Sequence, residues 1–145
     1  MSALQSLLSL RVAYYVGVAA AASLVAHVCL HALALATGAA KEMASSAAVR
    51  PLRDALMLYP PLAAAGVQAA LSLALARFLF GEPAVARWAA PDGVRFTTAV
   101  WAATSLHGIW LDFCVFRISW RILLQFVVGS FATACIVGAC MGALL

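Results

Sequence analysis

Thr97–Arg117 reads TTAVWAATSLHGIWLDFCVFR. The stretch is long and apolar enough to cross a bilayer, yet it carries His107 and Asp112. A carboxylate in hydrocarbon costs ~2.5–3.5 kcal/mol on insertion scales unless it finds a partner or water. The surroundings of Asp112 must therefore supply one, and the rest of the chain can be read as those surroundings.

Composition points the same way. Of 145 residues, 66% are hydrophobic and 10% charged, and the mean hydropathy is +1.04. A soluble domain is about 25% charged, so too little polar surface exists here to solvate a globule. A span needs ~20 apolar residues, which leaves room for one membrane domain and no separate soluble one. The net charge of +4 comes from scattered Lys and Arg near the span ends. They form no basic face with interleaved aromatics, which argues against a nucleic-acid partner and for anchoring at lipid headgroups.

Outward from Thr97–Arg117, the pattern predicts an all-α polytopic membrane protein with four transmembrane helices in an antiparallel bundle. The expected spans are 12–37, 55–80, 97–117 and 122–145. Tyr14 and Tyr15 open span one, where aromatic rings favour the interface. Gly17 and the alanines at 19–22 make that helix thin enough for close neighbours. The segment before it, with Leu4, Leu7 and Leu8, suits a short interfacial turn and lacks the basic start of a cleaved signal peptide. Pro60 and Pro61 should bend or restart span two. The Gly- and Pro-rich stretch 81–96 reads as a turn, with one helical turn near 84–88. The connection between spans three and four is very short, so those helices must be antiparallel neighbours.

Span four carries Ser130, Ala134, Gly138 and Gly142 at every fourth position, ending in a GxxxG. Small residues on one stripe let two helix backbones approach closely in lipid. The stripe is expected to pack on span one or two of the same chain. A homo-oligomer seam is the alternative.

The polar residues gather toward the first-loop side. His27 and His31 are one turn apart on span one and share a face. At 1.5 Å rise per residue His27 lies roughly 4–5 Å from the midplane, His31 roughly 10 Å and Asp112 roughly 7–8 Å. Tyr59 and Gln125 fall in the same half. On span three, Trp101, Thr104, Ser105, Gly108 and Asp112 share a stripe. His107 lies roughly 140° around the helix from Asp112. His27, His31 and Asp112 are thus candidate ligands for a divalent metal or a proton-binding site, with Tyr59 and Gln125 as further ligand-binding candidates. A weaker alternative pairs His27 or His31 with His107 on a b-type haem.

The structural alternative is that His27 and Asp112 hydrogen-bond across a helix interface and set its register, at ~0.6 kcal/mol. The four cysteines lie in apolar stretches without a CxxC pair and read as buried hydrophobes. No HExxH, GxSxG, P-loop or dinucleotide fingerprint is present, so no catalytic residues are assigned.

Two functions stay open. One is a non-catalytic structural or accessory protein acting through helix–helix contacts, as a homo-oligomer or as a subunit of a larger membrane complex. The other is a small transporter or a metal- or proton-binding protein. The expected location is the bacterial inner membrane. Five cationic residues on the first-loop side against four on the other lean to an outward N-terminus.

Overall fold

A computed structural model describes residues 3–36, 38, 41, 59–115 and 119–145. Among them all regular structure is helical. The helices are α1 (Ala3–Ala36), α2 (Tyr59–Phe80), α3 (Glu82–Val85), α4 (Ala90–Val115) and α5 (Trp120–Leu144). Three segments are long and apolar enough to cross a membrane, Leu10–Ala36, Leu62–Phe80 and Trp120–Leu144. They support a multi-pass membrane protein. α4 does not reach that apolarity, because threonines, His107 and Asp112 dilute it.

Helix ends follow local chemistry. α1 begins well before residue 12. The expected interfacial turn continues the same helix, since no Gly or Pro lies between Ala3 and Val16 to break it. Pro60 and Pro61 sit in the first turn of α2, where their missing N–H groups forfeit no intrahelical bond. Residues 42–58, which include the expected start of span two, lie outside the described residues. Gly81 stops α2 at φ +80, and its N–H donates to the Arg77 carbonyl at 2.9 Å. α4 starts at Ala90, ahead of the expected Thr97, with Pro91 in its first turn. The Asp92 carboxylate accepts from the Ala89 N–H at 3.0 Å there. Ser119 caps α5, its hydroxyl accepting from the Ile122 N–H at 3.4 Å.

α5 is the central element. α4 packs chiefly on α5, while α1 packs on both α2 and α5. Along the α4–α5 seam Gly93 meets Gly138, Thr97 meets Ala134, and Trp101 meets Ser130. Numbers rise on one helix as they fall on the other. The small-residue stripe does pack within the chain, but on α4 and not on span one or two. A Cβ at Gly138 would collide with the Thr97 hydroxyl and the Gly93 carbonyl, and one at Gly142 with the Ala89 carbonyl. The backbones therefore touch, and only glycine permits it. The Thr97 hydroxyl lies 2.7 Å from the Ala134 carbonyl and 2.9 Å from the Gly93 carbonyl, bridging the helices.

The core sits at the end of the bundle that holds the α2–α4 connection. Tyr15, Ala69, Leu73, Ala76, Val85, Val137 and Met141 form it. Tyr15 is fully buried and donates to the Ala69 carbonyl at 3.2 Å, so it is a core residue and not an interfacial one. Tyr14 beside it faces outward. Rings of Phe80, Trp88 and Phe96 meet pairwise at 5.4–5.9 Å and close this end. The Arg77 guanidinium near the end of α2 pairs with Glu82 of α3 at 3.0 Å.

Candidate functional site

The opposite end of the bundle is where sequence reasoning gathers the polar residues. His27 and His31 lie one turn apart on α1, and both are half-buried. The His27 ring bonds to the backbone of Ser23, the preceding turn of the helix. It faces α5 at Gly129, where an added Cβ would lie 3.9 Å from the His27 Cε1 and 3.6 Å from Leu30. α5 contributes Gln125 one turn away, half-buried, with its carboxamide oxygen inaccessible and without a hydrogen-bond partner. Ser23 is 2% exposed and its hydroxyl likewise has no partner.

His27 and Gln125 thus belong to one α1–α5 interface. Asp112 and His107 ride on α4, but their side chains, like that of Tyr59, lie outside the described residues. The proposed meeting of Asp112 with the histidines therefore concerns groups outside them as well. Among the described residues no three His, Cys, Asp or Glu side chains stand close enough to hold a metal ion. The four cysteines are free thiols.

Part of the expected polar stripe on α4 turns elsewhere. Trp101 is buried against α5, with its indole N–H donating to the Ser130 hydroxyl at 3.0 Å and its ring edge-on to Phe131. Thr104 is exposed, and its hydroxyl returns to the Val100 carbonyl of its own helix at 2.7 Å. A threonine that satisfies itself this way needs no site.

Beside Gln125 a cavity of about 340 Å³ opens between the last third of α1 and the start of α5. Leu30, Leu33, Leu124 and Val128 wall it, and Trp120 and Arg121 stand at its rim. Periodicity alone could not show this cavity, because its walls come from helices distant in sequence.

A second feature lies on the outer face of α1. Ala13, Gly17 and Ala21 are all exposed and recur every fourth residue, with exposed Val25 continuing the line. Nothing lies within 4 Å of a Cβ built on Gly17. The signal was present in the sequence as Gly17 and the alanine run, but which face they occupied was not. No protein-family model, curated protein or solved structure matches this chain.

Proposed function

We propose that this chain is a small non-catalytic membrane protein with four antiparallel spans, acting through helix–helix assembly with a second copy or with another membrane protein. The reading of α4 as the fourth span rests on its seam. α4 lies alongside the apolar span α5 from Gly93–Gly138 to Trp101–Ser130, so it shares that helix's depth.

The observation that carries the assembly reading is the outward stripe Ala13–Gly17–Ala21. Lipid tails are as apolar as leucine, so association between helices depends on close van der Waals approach, which small residues allow. The stripe on α5 cannot serve an outside partner while α4 covers it. The stripe on α1 can. Gly17→Leu is the direct test, because the space around Gly17 accepts a side chain without disturbing the chain's own packing. Native mass spectrometry from mild detergent should find the wild type as a dimer, higher oligomer or complex, and Gly17→Leu as a single chain with unchanged helicity. A wild type that is already a single chain, or an assembly indifferent to Gly17→Leu, would sink the proposal.

One observation favours a second reading, an intramembrane ligand- or proton-binding site at His27, His31 and Asp112 with Gln125 nearby. Two buried polar atoms lack partners, one on Gln125 in the same interface as His27 and one on Ser23 a turn earlier on α1, and such atoms call for an explanation. Asp112→Asn should abolish binding or flux while the fold persists. Full retention of both would remove Asp112 from the site.

A further inference from the structure

We infer that the cavity between α1 and α5 is a binding site for one anionic phospholipid. The argument starts from its shape and the order of its polar groups. At about 340 Å³ it is a ligand-sized cavity rather than a packing defect. Its walls at Leu30, Leu33 and Val128 are aliphatic and suit an acyl chain. Its polar groups stand at two levels. Arg121 and Trp120 lie at the rim, with the guanidinium 5.8 Å from the indole centre. Gln125 lies one helical turn deeper, roughly 6 Å along the axis.

That spacing matches the chemistry of a glycerophospholipid. The span of α5 begins at Trp120, so the rim is at the membrane boundary, where lipid phosphates reside. A cationic residue between spans at that level attracts an anionic headgroup. The ester carbonyls lie below the phosphate, at the level of Gln125. Gln125 lines the cavity at that level, and a carboxamide N–H there can donate to an ester carbonyl. Trp120 packs beside the headgroup, and the leucines take the chain. A partner helix is a poorer occupant, because its apolar face would meet the positive charge of Arg121 where an anionic headgroup complements it.

The test uses the full-length protein, stripped of lipid in mild detergent and titrated with dioleoyl phosphatidylglycerol or dioleoyl phosphatidylcholine. Native mass spectrometry counts the lipids retained per chain. The wild type should retain one phosphatidylglycerol at a concentration at least tenfold below that needed for phosphatidylcholine. Arg121→Gln, an exposed position, should bring the two lipids within about threefold. Val128→Phe, which narrows the cavity while keeping the surface apolar, should reduce retention of both. Circular dichroism checks that each variant keeps its helices. Equal uptake of the two lipids by the wild type, a headgroup preference that survives Arg121→Gln, or undiminished retention in Val128→Phe overturns the assignment. The readout does not depend on oligomeric state, so it stands or falls apart from the assembly proposal.

Discussion

Two stripes of small residues run along spans of this protein, and they meet opposite fates. On α5, Ala134, Gly138 and Gly142 lie against α4 so closely that a single added carbon would strike backbone. On α1, Ala13, Gly17 and Ala21 have the same spacing and face outward with open space around the glycine. The pattern in sequence is nearly the same. The difference is whether a second helix of the same chain arrives at the stripe. α4 reaches α5 because a very short connection joins them, and the Thr97 and Trp101 hydrogen bonds then fix the register. A small-residue motif therefore states that close approach is possible, and the connectivity selects the partner.

Substitutions should separate the two stripes. The largest effect is expected for Gly138→Leu. Overpacking a well-filled interior costs about 1–3 kcal/mol, and here the clash is with backbone, so the loss should exceed ~3 kcal/mol. Thermal unfolding in detergent should show a collapsed transition or no folded protein. A wild-type melting curve would mean that the seam is looser than described.

Thr97→Val keeps the shape of the side chain and removes the bridge to the Ala134 carbonyl. Interhelical hydrogen bonds in membranes average ~0.6 and reach ~1.7 kcal/mol. A loss near 1 kcal/mol is expected by denaturant titration, with the helix content unchanged. The opposite sign is expected at Gly129, on the same helix but facing α1. An alanine Cβ there would make ordinary contact at 3.6 Å with Leu30. Gly129→Ala should stabilise by about 0.5–1 kcal/mol, since Gly restricts poorly and leaves space unfilled. Destabilisation would show that the α1–α5 interface is tighter than its cavity suggests.

Gly17→Leu makes no new packing within the chain, so its effect on the stability of the single chain should be small, at most the ~0.5–1 kcal/mol gained by replacing a helical glycine, while its effect on assembly should be the largest of the set. Analytical ultracentrifugation would compare it with Gly129→Ala, which should assemble as the wild type does. If both variants assemble alike, the outward stripe is only a lipid-facing surface.

The two ends of the bundle teach a related lesson. At the end built on Tyr15, Leu73, Val137 and Met141 the core is closed and ringed by Phe80, Trp88 and Phe96. At the other end His27, His31 and Gln125 are only half-buried and a cavity remains. The sequence predicts a gathering of polar residues toward one end, because helix rise converts position into depth, and of that group the described side chains are His27, His31 and Gln125. That this end would also be the loosely packed one was not legible in the sequence, since it follows from α4 meeting α5 and α1 meeting α2 at particular contacts. Tyr15 departs from its sequence expectation for the same reason. An aromatic ring at a span end has an interfacial role by default, and only the carbonyl of Ala69 and the α2 and α5 side chains around it make it a core residue.

By itself the sequence determined that this chain is helical and takes lipid as its solvent, because both follow from composition and length counted along one strand of backbone. It also placed the end of α2 at Gly81, because a glycine stop is local chemistry. The tertiary structure alone decided which stripe is buried, which tyrosine is core, and that Gln125 borders a cavity. Those are statements about what stands opposite a residue, and helix periodicity fixes a residue's angle on its own helix without naming the neighbour at that angle.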